Sequence, residues 1–176
     1  VGAPVPSPDG RWVVFSVTEP AYDEARQVAD LWIAPADGST PPRRLTSTPA
    51  RESGVDWSPD GTRIVFSTRR DADDSDQLYV LDLAGGDAMR VTWQAGGARS
   101  PRYSPDGRQL AFVGLVHRGT IDEAGNREAA RARREQRWNA RIYDGFPVRK
   151  WDRWRDERQP HLYVVDLPQP GFPPPE

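Results

Sequence analysis

Three stretches of the chain carry the apolar patterning of β-strands: Val13-Val14-Phe15-Ser16-Val17, Ile64-Val65-Phe66-Ser67 and Leu110-Ala111-Phe112-Val113. Each follows the same four residues, Ser-Pro-Asp-Gly, at positions 7–10, 58–61 and 104–107. These four fit a type I turn. Proline presets φ at the second position, aspartate tolerates the third, and glycine takes the left-handed conformation that starts the next strand. Each copy is therefore read as the tip of a β-hairpin. The copies recur roughly every 50 residues, the spacing of a repeat.

The flanks keep step with the turns. Five residues beyond each turn glycine stands a phenylalanine (Phe15, Phe66, Phe112), and three residues beyond it an aliphatic (Val13, Ile64, Leu110). A second strand has a Leu-aromatic-aliphatic centre: Leu31-Trp32-Ile33, Leu78-Tyr79-Val80 and Leu162-Tyr163-Val164. A third piece occurs twice, as Arg44-Leu45-Thr46 and Arg90-Val91-Thr92. The step from Thr46 to Trp57 equals that from Thr92 to Tyr103, each ending on the aromatic that precedes the next turn. Four short strands in about 46 to 51 residues are the size of a β-propeller blade.

The fold class read from this pattern is all-β: a β-propeller fragment of nearly three four-stranded blades, with a partly helical insertion in the third. With strands lettered A to D from the channel outward, the SPDG turns join A to B. Blade one, partial, covers 1–46; blade two covers 47–92; blade three covers 93–176 and lacks its outer strand, because the tail "PQPGFPPPE" cannot pair as a ladder strand. Closure takes roughly four to eight blades, so the chain reads as part of something larger.

The insertion is the one break in the repeat. The interval from the strand phenylalanine to the next strand leucine is short in the first two blades, Phe15 to Leu31 and Phe66 to Leu78. In blade three, from Phe112 to Leu162, it is several times as long. The extra residues span about 117–160, and long connections in compact domains usually have a function. "NREAARARREQRWNAR" reads as a helix of about three turns. A turn and two tryptophans follow it. Because A–B and B–C connections lie on opposite faces of a propeller, the insertion is expected on the face away from SPDG, beside the loops at 18–29 and 69–76.

Charge reinforces that contrast. The whole chain carries a formal −2, but residues 118–158 hold 12 Lys and Arg against 8 Asp and Glu, a local +4 against −6 elsewhere. No overall field argues for nucleic acid or an anionic membrane. The longest apolar run, Leu110–Val116, is far short of the ~20 residues of a membrane helix. There is no cysteine, hence no disulfide or thiol chemistry. The compartment stays open between cytoplasm and periplasm or secretion. Arginine outnumbers lysine 23 to 1, which is read as coding bias. Hydrophobic content of 36% and a mean hydropathy of −0.76 are low for a compact globule.

Blades of the form "SPDG…VVFS…LWIAPADG…RRLT" resemble the amino-terminal domain of the prolyl oligopeptidase family of serine peptidases. Arg149-Lys150-Trp151-Asp152, Trp154 and His161-Leu162-Tyr163-Val164 are similar to the "RHWDxW…HLFV" stretch of its bacterial acylaminoacyl-peptidase and dipeptidyl-peptidase-5 branch, with Lys150 where that branch often has histidine. The resemblance implies a propeller that caps an α/β-hydrolase domain of the same parent, gates peptide access and forms the interdomain cavity. It implies a peptide substrate, allows a homo-oligomer, and involves no nucleic acid and no membrane span. Trp138, Arg149, Trp151 and Trp154 are the candidate substrate-gating or interface residues.

No catalytic residue, metal ligand or cofactor is expected in this chain. The nucleophile elbow needs G-x-S-x-G, and the nearest context, "GARSP" at 97–101, precedes a strand. His117 and His161 read as hydrogen-bonded or solvated. "DADDSD" at 71–76 reads as a solvated hairpin loop, since an EF-hand needs glycine where Asp76 stands. The helix arginines read as a solvated face or a domain contact, and the two tryptophans as a small core of the insertion unless they stack on a ligand. The alternative function is a non-enzymatic Tol-type periplasmic propeller that binds proteins.

Overall fold

A computed structural model describes residues 1–19, 28–70, 72–120, 122–136, 149–151, 153–154 and 158–167. It contains three antiparallel sheets in the order expected of blades. The first pairs β1 (Val5–Pro6), β2 (Trp12–Thr18), β3 (Ala29–Pro35) and β4 (Arg43–Arg44). The second pairs β5 (Ser53–Trp57), β6 (Arg63–Thr68), β7 (Gln77–Asp82) and β8 (Met89–Arg90). The third begins with β9 (Arg99–Tyr103) and β10 (Gln109–Val116). The insertion follows, with helix α1 (Glu123–Glu135) and a separate pair, β11 (Arg149–Lys150) and β12 (Arg153–Trp154). The third sheet is then completed by β13 (Gln159–Asp166). Blade one, expected to lack an inner strand, has a two-residue one. Its Val5 and Pro6 pair with Val14 and Val13.

The SPDG turns are built alike. In each the glycine N–H donates to the serine carbonyl at 2.9 Å, and φ is 71° at Gly10, Gly61 and Gly107, the region where glycine carries no Cβ penalty. The serine hydroxyl donates to the aspartate at 2.6 Å in all three. The same carboxylate accepts the N–H two residues on, at 3.0 to 3.1 Å. The serine Oγ accepts the N–H five residues on, at 2.9 to 3.0 Å. These bonds favour the ionised acid and hold Asp60 down at about 2. SPDG is thus a hydrogen-bonded clasp with a task for every residue.

The outer strands are shorter than the sequence pattern indicates because a side chain takes over from the ladder. Leu31 N–H donates to Thr46 Oγ1 at 2.9 Å and Leu78 N–H to Thr92 Oγ1 at 2.8 Å. Regular ladder pairing covers two residues of each outer strand, and one further backbone bond, Leu45 N–H to Leu31 O at 2.8 Å and Val91 N–H to Leu78 O at 2.9 Å, precedes the threonine hydroxyl.

The core lies between blades, in two layers. Val14, Leu31 and Ile33 meet Val55, Trp57, Ile64, Phe66, Tyr79 and Leu81 between blades one and two. Val65, Leu78 and Val80 meet Ala98, Leu110, Phe112 and Leu167 between blades two and three. Alternate residues of β6 and β7 thus serve opposite layers, and both strands are buried almost throughout. The end blades are covered on one side only. Leu162 and Val164 stand where the repeat has Leu31 and Ile33, or Leu78 and Val80, yet are 74% and 60% exposed.

Glu52 is one of the carboxyl groups buried in this frame. Glu52 accepts a hydrogen bond from Thr46 Oγ1 and another from Thr48 Oγ1. Burial pushes its carboxyl above the ordinary value, opposed by the Thr46 bond and aided by the nearby Asp30. A raised folded-state value gives stability that is complete below the unfolded value and lost as pH rises through the folded one. Ionised Glu52 therefore destabilises the fold at neutral pH. Glu52→Gln keeps an acceptor for Thr46, as Gln77 does for Thr92 in the next blade at 2.9 Å. Its melting temperature is expected above wild type at pH 7.5, the gap closing toward pH 4. A gap that stayed constant across that range would assign the effect to packing.

Candidate functional site: the insertion of the third blade

The insertion leaves β10 through a turn in which His117 O accepts from Thr120 N at 3.2 Å and from Thr120 Oγ1 at 2.7 Å. Helix α1 follows. It starts three residues before the stretch that the sequence marks as helical, because Asp122 caps it by accepting Gly125 N–H at 2.7 Å. Arg133 and Arg134 in the last turn complement the helix dipole.

Both ends of the helix are tied to the blades. Asn126, 1% exposed, donates through Nδ2 to Leu115 O at 3.1 Å and accepts His117 N–H on Oδ1 at 2.9 Å. It supplies the bonds that a further strand residue would have made beyond Val116. Glu123 Oε1 accepts Ala95 N–H at 2.7 Å from the connection between β8 and β9. Arg134 pairs with Asp74 of the β6–β7 loop at 2.6 Å. The helix thus lies beside the shorter B–C loop of blade two, on the face expected for it. Asn126 was legible only indirectly: an asparagine directly after a glycine is a poor helix interior.

The β6–β7 loop differs from the solvated one expected of "DADDSD". Asp73 is buried: Arg90 lies 2.6 Å from Oδ1, and Oδ2 accepts from Tyr79 OH at 2.8 Å and Arg70 N at 3.1 Å. Burial and the bond to Asp73 push the Tyr79 hydroxyl up to about 12. Asp73 is therefore an anchor, drawn inward because Arg90 and Tyr79 offer it partners, while Asp74 and Asp76 stay exposed as expected. Among the described residues no cluster of His, Cys, Asp or Glu could hold a metal ion.

Beyond the helix, β11 and β12 form a hairpin in which Arg149 opposes Trp154 and Lys150 opposes Arg153. The candidates Arg149, Trp151 and Trp154 are thus brought onto one hairpin, while Trp138 lies outside the described residues. Trp151 occupies the loop with φ of 56° and is 91% exposed. A two-residue hairpin loop needs positive φ and normally uses glycine or asparagine. A tryptophan there carries roughly 1–2 kcal/mol of backbone strain and leaves its indole in water. Trp151 is therefore no part of a core within the insertion, contrary to the expectation for it. Neither histidine is drawn into a buried site: His161 is exposed on β13 and His117 half-buried at the end of β10.

The profile of the TolB beta propeller domain matches residues 1–129. The chain belongs to this TolB beta propeller family. The solved structure of putative TolB from Agrobacterium tumefaciens is 31% identical, has a TM-score of 0.51, and is matched over 66% of this chain and 39% of that one. Dipeptidyl-peptidase 5 of Porphyromonas endodontalis is 29% identical over 163 residues, 93% of this chain and 22% of that protein. The unmatched remainder is much shorter than the insertion, so that likeness runs through most of it. The acylaminoacyl peptidase of Pyrococcus horikoshii, at 19% identity, shares the fold with a TM-score of 0.63 over 94% of this chain and 22% of that one. The resemblance to the propeller region of prolyl oligopeptidase-family peptidases thus extends past the TolB-type repeat. The chain spans about a fifth of the length of the curated peptidase that it matches over 93% of its own length.

Proposed function

We propose that this chain is the propeller portion of a serine peptidase that releases acylaminoacyl or dipeptidyl units from short peptides. An α/β-hydrolase domain of the same polypeptide carries the catalytic residues, and the propeller forms part of the interdomain cavity and limits what enters. The observation that carries this reading is the insertion, tied down at Asn126 and presenting Trp151 in a strained, solvent-facing turn. Strain with no packing in return is what a contact element shows before its partner is in place. Arginine and tryptophan together are the residue types most enriched where binding energy concentrates. Arg149 supplies a charge for a carboxylate, of the protein or of a peptide terminus.

The test is made in the full-length polypeptide. Replacing Trp151 and Trp154 by alanine, or unseating the helix with Asn126→Ala, is expected to change the ratio of kcat/KM for long and short peptides by about tenfold, equivalent to ~1.4 kcal/mol. Unchanged ratios at every peptide length, with unchanged assembly state, would reject the gating role. The second reading, a protein-binding propeller, draws on the 31% identity to putative TolB. It expects no peptide hydrolysis from the full-length polypeptide.

A further inference from the structure

Where blades two and three meet, their SPDG turns flank a cavity of about 190 Å³. The turns touch there: a Cβ at Gly107 would lie 3.4 Å from Cδ of Pro59. Asp60 and Arg63 reach the cavity from blade two, Asp106 and Arg108 from blade three, and Pro59 and Leu167 supply apolar surface. The bonds of each clasp fall on one carboxylate oxygen. Asp60 Oδ1 takes Ser58 and Thr62, and Asp106 Oδ1 takes Ser104 and the Arg108 N–H. Oδ2 of both remains an acceptor. Arg63 and Arg108 favour the ionised forms of Asp60 and Asp106 through space. Among the described residues, however, neither guanidinium makes a hydrogen bond or ion pair.

The repeat supplies its own comparison. Counted from the turn glycines, Trp12 and Thr62 stand between blades one and two where Arg63 and Arg108 stand between blades two and three. Trp57, in the place of Tyr103, donates through Nε1 to Val5 O at 3.0 Å. The Tyr103 hydroxyl is sealed from solvent without a hydrogen-bond partner, within electrostatic reach of Asp60 and Arg63. The turns of blades one and two close in the same way without this pair of arginines between them. The charges at the second junction are thus an addition that the clasp does not require.

Two guanidiniums and two carboxylates give the cavity no net charge. A simple anion there meets the carboxylates and a simple cation the guanidiniums, whereas a molecule with both charges a few ångströms apart satisfies each. The volume is below the roughly 300–1,000 Å³ of pockets for drug-sized ligands, so the ligand is small, and Pro59 and Leu167 suit an apolar side chain. We propose that the junction of blades two and three binds a zwitterionic α-amino acid with an aliphatic side chain. Its carboxylate meets Arg63 and Arg108, and its ammonium meets Asp60 and Asp106. The site lies at the opposite end of β10 from the insertion and stands apart from the peptidase reading.

The test titrates the full-length polypeptide by saturation-transfer NMR with L-leucine, with 4-methylpentanoate, which lacks the ammonium, and with 3-methylbutylamine, which lacks the carboxylate. Leucine is expected to bind with a Kd on the order of 1 mM, and each truncated probe about tenfold more weakly. Arg108→Gln, at an exposed position where substitution changes stability little, is expected to weaken leucine binding by about tenfold. Arg63→Trp with Arg108→Thr, which installs the residues of the first junction, should abolish it; should that double variant fail to fold, Arg108→Gln decides. No leucine binding at about 10 mM, ten times the expected Kd, would overturn the proposal. So would binding of either truncated probe as tight as that of leucine. Leucine binding unchanged by Arg108→Gln would place the ligand elsewhere in the polypeptide and overturn it too. None of these readouts depends on peptide hydrolysis, so the two readings fail separately.

Discussion

Replacing Phe66 by alanine is expected to cost the chain about 3–5 kcal/mol, and the same change at Phe15 only about 1–2 kcal/mol. The two residues hold the same place in successive repeats, each five beyond its turn glycine and each opposite an aromatic of the neighbouring strand. They differ in cover. Phe66 is fully buried in the layer between blades one and two, with Tyr79 stacked beside it at 6.3 Å between ring centroids. Phe15 points to the outer side of blade one and is half-buried. Truncation at Phe66 leaves a cavity lined by residues fixed from both blades, whereas at Phe15 water already reaches the ring. Domains of this size have stabilities of about 5–15 kcal/mol, so the Phe66 variant should lose most of its folded population under mild denaturant. Urea titration at sub-micromolar concentration, followed by tryptophan fluorescence, measures both. Equal losses would mean that something covers the outer side of blade one.

The outer faces lead to the second expectation. Leu162 and Val164, with Ala111 and Val113 opposite them, make an apolar stripe on the far side of blade three, and Phe15 and Trp32 pair on the far side of blade one. In a propeller, neighbouring blades cover such faces. In the isolated chain they are expected to drive concentration-dependent self-association. The two ends are unlike surfaces, so contacts form head to tail and give a broad series of species in sedimentation rather than one closed dimer. Leu162→Glu with Val164→Glu should shift that distribution to monomer while changing stability by no more than about 0.5 kcal/mol, as for exposed positions generally. A wild-type chain that sediments as a monomer at ~100 μM would contradict adhesive outer faces on the end blades; an association that survives both substitutions would place the adhesive surface elsewhere.

What could be read from the chain without its fold follows the range of the forces involved. The turns were legible because Ser-Pro-Asp-Gly closes its hydrogen bonds within five residues of itself. The B and C strands were legible because alternation and β-branched residues act over single strands. The inner strand of blade one was not, since two residues ending in a proline carry no pattern of their own. The beginning of α1 was also missed: Gly125 and Asn126 look like the end of a turn until Asp122 is seen to cap and Asn126 to bond back to β10. Of the candidate site, the sequence marked the residue types and their clustering. That Arg149 opposes Trp154 in a hairpin, with Trp151 thrown outward at its tip, depends on a register no periodicity encodes.

By itself, then, the sequence determined the repeat, the order and approximate limits of the strands, the turn chemistry and the position of the insertion. All of these arise from contacts between residues near one another along the chain. The tertiary structure alone decided which copy of each repeated residue is buried. Leu31, Leu78 and Leu162 are the same residue in the same register, yet the first two are 0% exposed and the third 74%, because burial belongs to the neighbouring blade and not to the strand. The same holds for charge. Asp73 and Asp74 are adjacent in one acidic run, but Asp73 is drawn in by Arg90 and Tyr79 while Asp74 stays out to hold Arg134. Desolvation and pairing depend on groups brought in from other strands and from the insertion, and only the packed sheets set those distances.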